Sequence, residues 1–128
     1  MIERGTEAED SEDSSVLITL QDARRERLQR QVGFDRRELE MILRLYGRMV
    51  AANEWRDYAI DHTTERAVFS VFRRASESPL FQIVKNPALA RKQGAWAVIA
   101  ASGQIMKRGH ELARVLAFFD GKLRVVEN

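Results

Sequence analysis

The chain has 128 residues, of which 45% are hydrophobic and 31% are charged, a size and composition typical of a single globular domain. It contains no cysteine, which excludes disulfides, thiol catalysis and thiolate metal sites and fits a reducing cytoplasm. No apolar run approaches the roughly 20 residues that a membrane helix needs, so we expect a cytoplasmic protein without a membrane partner.

Charge is distributed unevenly along the chain. Residues 1–15 carry six acidic side chains and one arginine, whereas the remainder carries 20 basic and 13 acidic side chains. The acidic composition, short of aromatic residues, predicts a disordered tail over residues 1–15. Residues 16–33 form a basic leader segment whose structure the sequence leaves open: "VLITL" (Val16–Leu20) fits a strand, a helix start or a docking segment. The folded domain is predicted over residues 34–128.

The first strong signal is an amphipathic helix in "FDRRELEMILRLYGRMVAANEW". Asp35 and Glu38 have the spacing of a capping box, in which each side chain accepts a hydrogen bond from the other residue's backbone N–H. Apolar residues recur at helical spacing and predict the buried stripe: Leu39, Ile42, Leu43, Tyr46, Met49 and Val50. Three arginines fall on the opposite side of the helix and are expected to face solvent: Arg37, Arg44 and Arg48.

Strand-like segments follow the helix. "RDYAIDH", "RAVFSVFRR" and "PLFQIVKNP" are separated by short polar connectors, which predicts an antiparallel meander. "AWAVIAASGQIMKRG" predicts a hairpin that turns at Ser102-Gly103, because glycine supplies the positive φ of a two-residue turn. That register pairs Ala101 with Gln104 and Val98 with Lys107. It places four side chains on one face: Trp96, Val98, Ile105 and Lys107.

A second helix is predicted in "HELARVLAFFDGKL", with Leu112, Val115, Leu116 and Phe119 on one face. The predicted fold is a single α+β domain. An amphipathic helix precedes an antiparallel sheet of about five strands, made of a meander and a hairpin, and the C-terminal helix packs on that sheet.

Three phrases of the sequence resemble a known family: "FDRRELEMILRLYGRMVAANEWRDYAIDH", "AVFSVFRRASESPL" and "ARKQGAWAVIAASGQIMKRGHELARVL". They are similar to a small alphaproteobacterial family known as domain of unknown function 2794, over roughly Phe34 to Leu123. The resemblance implies a bacterial cytoplasmic protein. It implies no activity and transfers no catalytic or binding residue.

Motifs for catalysis are absent from the sequence. There is no glycine-rich phosphate loop and no nucleophile elbow, and "HELAR" lacks the second histidine of a zinc-protease motif. We therefore expect no catalytic residue, no metal site and no cofactor. An enzyme that uses Asp57, Asp61, His62 or His110 remains a third possibility. On a strand, Asp57 and Asp61 would be about 13 Å apart, too far to share one metal ion directly.

Basic residues carry the leading hypothesis for function. Arginine suits phosphate oxygens through its forked guanidinium, so we expect a non-enzymatic module that contacts the nucleic-acid backbone. The expected binding residues are Arg37, Arg44, Arg48, Arg91, Lys92, Trp96, Lys107 and Arg108. Trp96 would stack a base or grip a peptide if it is exposed; otherwise it belongs to the core.

A protein-interaction or regulatory adaptor is the alternative hypothesis. It would add a strand to a partner through a sheet edge or through "VLITL", or pair with a second copy of itself. The sequence leaves the oligomeric state open.

Overall fold

A computed structural model describes residues 16–17, 19–26, 30–74 and 77–121. The chain divides into two compact units, residues 1–31 and 32–128. In the first unit, residues 16–17 and 19–26 are helical, so the described part of "VLITL" belongs to a helix and not to a strand. The predicted acidic tail lies outside the described residues.

The first helix of the second unit, α1 (Arg36–Ala51), begins at the predicted capping box. The side chain of Asp35 accepts from the backbone N–H of Glu38, and the side chain of Glu38 accepts from the backbone N–H of Asp35, both at 2.8 Å. Two orphan N–H groups of the first turn are thereby satisfied. The capping prediction is confirmed.

The buried stripe of α1 is rotated relative to the prediction. Its fully buried residues are Ile42, Leu45 and Met49, whereas Leu43 and Val50 are 37% and 41% exposed. The prediction that Leu43 and Val50 are buried is therefore wrong. The reason is that the buried residues of α1 pack against the C-terminal helix as well as against the sheet, and the contact with that helix turns a different flank inward.

Five strands form one antiparallel sheet whose spatial order is the chain order. They are β1 (Asp57–His62), β2 (Ala67–Phe72), β3 (Phe81–Lys85), β4 (Trp96–Ala100) and β5 (Ile105–Gly109). The predicted meander and hairpin are confirmed. A single 3-10 turn, Pro87–Leu89, begins the connection from β3 to β4.

The hairpin between β4 and β5 differs from the predicted one at its tip. Ala97 pairs with Arg108 and Val98 with Lys107, as expected, but a bulge then pairs Ile99 with Ile105. The loop has three residues instead of two, closed by bonds between Ala100 and Gln104 and between Gly103 and Ala100. Gly103 has φ +88°, the left-handed residue that ends such three-residue loops. The predicted pairing of Ala101 with Gln104 is therefore wrong.

The second helix, α2 (Leu112–Leu116), continues as a helical turn over residues 118–121. All four residues predicted for its buried face are buried: Leu112, Val115, Leu116 and Phe119. They join the buried stripe of α1 and one face of the sheet in a single core. Both helices thus cover the same face of the sheet, and the α+β prediction is confirmed.

Candidate functional site

Two glycines bring the loop before β4 against the end of β5. Gly94 has φ +105°, a conformation that side chains disfavour, and a Cβ added there would lie 2.3 Å from the backbone carbonyl of Gly109. A Cβ on Gly109 would lie 3.2 Å from the side chain of Val115 in α2. The loop at Gly94 therefore lies closer to β5 than a residue with a side chain would allow, and β5 at Gly109 lies unusually close to α2.

Two hydrogen bonds hold the same loop to β5. The guanidinium of Arg108 donates to the carbonyl of Gly94 at 3.3 Å, and the ring Nδ1 of His110 bonds to the carbonyl of Ala90 at 3.0 Å. Arg91 and Lys92, both exposed, lie in this loop between the two carbonyls that bond to Arg108 and His110.

This region of the molecule has very few carboxylates. From Ser78 to Phe119 the chain has one acidic residue, Glu111, against six basic ones. Glu111 pairs with Arg114 at 3.2 Å, and Arg114 was absent from the predicted site. We name five cations the basic edge: Arg91, Lys92, Lys107, Arg108 and Arg114. A cleft of about 340 Å³ lies among Lys107, Arg108 and Arg114, next to His110 and Glu111.

The opposite edge of the sheet has a different charge. Asp57 and Asp61 lie exposed on β1, and Glu54 and Glu65 stand just before and after this strand. Strand order places β1 and β5 at the two ends of the sheet. Carboxylates are therefore in the majority on and next to β1, where Arg56 and Arg66 are also exposed.

The arginines of α1 do not join the basic edge. Arg44 and Arg48 line a groove together with Ala113, Ala117 and Asp120 of the second helical region. The cleft at the basic edge is lined instead by Glu111, Arg114 and Val115, which lie on the other side of α2. Arg37, Arg44 and Arg48 are exposed, as expected, but α2 separates Arg44 and Arg48 from the cations of β5.

Trp96 belongs to the core. It is 5% exposed and stacks on Phe34, with ring centroids 6.1 Å apart and an angle of 15° between the planes. The ammonium of Lys85 lies 5.7 Å from the centroid of its indole ring. Of the two alternatives for Trp96, the structure supports the core, because Trp96 lies on the helix-covered face of the sheet and is not exposed to stack a base.

The groups considered for catalysis are dispersed. Along the strand β1, Asp57 and Asp61 lie on one face of the sheet and His62 lies on the other. The ring Nδ1 of His62 bonds to the carbonyl of Val32 at 3.0 Å. His110 lies at the other edge of the sheet. Among the described residues, no group of three or more histidine, aspartate or glutamate side chains is arranged to hold a metal ion.

One side chain at the β1 edge has an altered acidity. Burial raises the pKa of the Tyr46 phenol above its usual value, and the nearby charge of Asp57 and then Tyr58 raises it further. Tyr46 contacts Tyr58 edge to face, with ring centroids 4.9 Å apart. This aromatic pair joins α1 to β1.

Fold and site together define a small α+β domain in which two helices cover one face of a five-stranded antiparallel meander. Residues 32–116 match the family described as "Protein of unknown function (DUF2794)", and the chain belongs to that family. No curated protein and no solved structure shows significant similarity to the chain. Within the described residues, no helix is both long and apolar enough to cross a bilayer.

Proposed function

We propose that this protein is a non-enzymatic cytoplasmic module that binds the phosphate backbone of nucleic acid through its basic edge. The observation that carries the proposal is that the loop containing Arg91 and Lys92 is tied by hydrogen bonds of Arg108 and His110 to the end of β5, the strand of Lys107 and Arg108. In that part of the chain, Glu111 is the single carboxylate and is already paired with Arg114. Cations in excess at one edge attract phosphates without requiring base contacts.

The geometry supports backbone contact better than base readout. Arg91, Lys92 and Lys107 are long, exposed side chains, and Arg108 is half-buried; such side chains suit phosphate oxygens at varied positions. Trp96, the aromatic group considered for base stacking, lies in the core. We therefore expect weak discrimination between sequences and a strong dependence on salt.

The test is fluorescence anisotropy with a labelled 20-base-pair duplex, as RNA and as DNA, between 50 and 200 mM salt. If about five phosphates are neutralised, affinity should fall on the order of 10²- to 10³-fold over that range. Lys107→Glu with Arg108→Glu should abolish most of the binding at 50 mM salt. Absence of binding by the unaltered protein at 50 mM salt would refute the proposal.

The matched control reverses the same charge elsewhere. Arg56→Glu with Arg66→Glu changes two exposed arginines that flank β1, so the net charge changes equally. This control should retain affinity within about threefold, since charge acts weakly beyond a Debye length, which is roughly 14 Å at 50 mM salt and shorter at higher salt. Equal losses in both double variants would mean that net charge alone drives binding and that the basic edge is not the site.

One observation favours a second candidate, a protein adaptor that acts through β1. This strand lies at the end of the sheet, and Tyr58 on it is 42% exposed. Tyr58 contacts Tyr46 of α1, a helix on which Leu43 and Val50 are also exposed. An extended segment added to β1 would cover such side chains. Asp57 opposes the addition, because its carboxylate accepts the N–H of Tyr58 at 3.0 Å and so occupies one edge donor.

The two candidates differ in the variant that removes binding. An adaptor acting at β1 should lose a protein partner in a pull-down after Tyr58→Lys, while Lys107→Glu with Arg108→Glu leaves capture unchanged. Nucleic-acid binding should instead be lost after Lys107→Glu with Arg108→Glu and should be unchanged after Tyr58→Lys.

A further inference from the structure

The groove between α1 and α2 is a second surface with its own chemistry. We name it the helix groove, and it has a volume of about 240 Å³. Its apolar lining comes from Met41, Leu116 and two exposed alanines, Ala113 and Ala117, which are one helical turn apart. Arg44, Arg48 and Asp120 complete the lining.

The positive charge of the helix groove is only partly compensated. Arg48 lies 4.0 Å from Asp120, with the two side chains 56% and 50% exposed, and ion pairs this open contribute little. No ion pair in the described part of the chain involves Arg44. A competing carboxylate could therefore bind Arg44 and Arg48 at a small cost in free energy.

Shape favours a helix as the occupant. Alanine side chains at a helix surface let another backbone approach closely, and a third helix laid between two others continues the packing of side-chain ridges into grooves. The small, open volume falls below the roughly 300–1,000 Å³ of pockets that enclose small ligands. Phosphate backbone suits the site poorly, because the exposed Ala113 and Ala117 and the half-buried Met41 would remain apolar surface without a partner.

We propose that the helix groove binds an acidic amphipathic helix of a partner protein. Apolar side chains three and four residues apart would contact Ala113, Ala117 and Met41, and flanking carboxylates would pair with Arg44 and Arg48. This is helix-in-groove recognition, and the charge of the groove specifies the sign of its partner. The interaction uses residues separate from the basic edge and does not depend on nucleic-acid binding.

The test is selection of displayed 15-residue peptides against the full-length protein at 100 mM salt. Enriched peptides should combine apolar residues at three- and four-residue spacing with at least two carboxylates. Synthetic versions should bind at least tenfold more weakly to Arg44→Glu with Arg48→Glu and to Ala117→Leu, which fills the groove. Arg36→Glu is the control, since Arg36 is 94% exposed and does not line the groove, and it should change affinity less than twofold.

Three outcomes would overturn the inference. Selection could yield no enriched peptide, or peptides that lack carboxylates, or peptides whose affinity is unchanged by the groove variants. Thermal melts of each variant by circular dichroism identify any loss of folding. If Arg44→Glu with Arg48→Glu weakens duplex binding while no peptide is selected, the groove belongs to the nucleic-acid surface instead. Lys107→Glu with Arg108→Glu should leave peptide affinity unchanged, so the two proposals fail independently.

Discussion

At the residue scale, individual glycines differ in their effect on the stability of the domain. Gly94→Ala should destabilise the domain by at least about 2–3 kcal/mol, because it combines a positive φ with a clash against the backbone of Gly109. Gly47→Ala, in the exposed interior of α1 with no atom within 4 Å, should stabilise it by about 0.5–1 kcal/mol. Urea unfolding measures both changes, and a Gly94→Ala protein as stable as the original would contradict the close approach.

The ion pair between Glu38 and Lys85 is the second residue-scale feature with a measurable effect. The ammonium of Lys85 donates to Glu38 at 2.7 Å and to the carbonyl of Gly33 at 2.9 Å, and the two ion-pair side chains are 21% and 19% exposed. A double-mutant cycle with Glu38→Gln and Lys85→Met should give a coupling free energy of about 1 kcal/mol or more.

The exposed pair Arg36–Glu40 is the matched control for that cycle. It joins two residues of the same helix at 3.3 Å, with side chains 94% and 57% exposed. Its coupling free energy should be about 0.5 kcal/mol or less and should vanish at high salt. Equal coupling in the two cycles would show that the partial burial of Lys85 adds nothing.

Local signals in the sequence were enough to predict the structural roles of some residues but not of others. Asp35 and Glu38 were predictable because a capping box depends on four consecutive positions. The burial of Trp96 was left as one of two alternatives, since it depends on which face of β4 the helices cover. Arg114 was missed because its relation to Lys107 exists only after α2 packs on the hairpin.

At the element scale, the contact of α1 with β1 should respond to alkaline pH. The raised pKa of Tyr46 means that the folded state favours the neutral phenol. Its contribution to stability is complete below the unfolded pKa of about 10 and is lost as pH rises through the folded pKa. The free energy of unfolding should therefore fall more steeply above pH 10 in the original protein than in Tyr46→Phe.

This comparison isolates Tyr46 because lysines, which also titrate near pH 10, remain in both proteins. The protein has two tyrosines, so the absorbance titration of Tyr46→Phe reports Tyr58 alone and gives Tyr46 by difference. Parallel pH profiles of stability in the two proteins would contradict the effect.

Element positions were predicted better than element orientations. The helices and strands follow from periodicity and turn residues, which are local. The rotation of α1 was not predictable, because Leu45 turns inward in response to α2, some 70 residues further on. The bulge at the β4–β5 hairpin shifts Ile105 by one position, and in a strand that shift moves a side chain to the other face.

At the scale of the whole molecule, charge on the two sheet edges should limit self-association. Edge strands are prone to pair with other copies, and charged side chains oppose this. Lys107→Thr with Arg108→Thr should raise the weight-average mass in sedimentation equilibrium. The control, Arg56→Thr with Arg66→Thr, removes the same charge outside any strand and should leave the mass unchanged. Equal masses for the original protein and both double variants would show that Lys107 and Arg108 do not protect β5 from pairing.

The grouping of residues in the basic edge could not be predicted from the sequence. The basic residues were visible, but their grouping depends on strand order and on the approach of Gly94 to Gly109. Hydrogen bonds of Arg108 and His110 tie the loop of Arg91 and Lys92 to the end of β5, whereas Arg44 and Arg48 lie on α1. Of the eight predicted residues, four therefore belong to the basic edge, Arg44 and Arg48 line the helix groove, Trp96 lies in the core, and Arg37 belongs to none of these.

The position of Phe119 has a consequence for biosynthesis. Its ring is fully buried and contacts Trp55 and Phe81 edge to face, although it lies beyond all five strands. Each strand can pair with its predecessor soon after leaving the ribosome, but the aromatic centre stays uncovered until α2 emerges. Nascent chains stalled before Phe119 should thus be the species that engage chaperones, and the completed chain should release them.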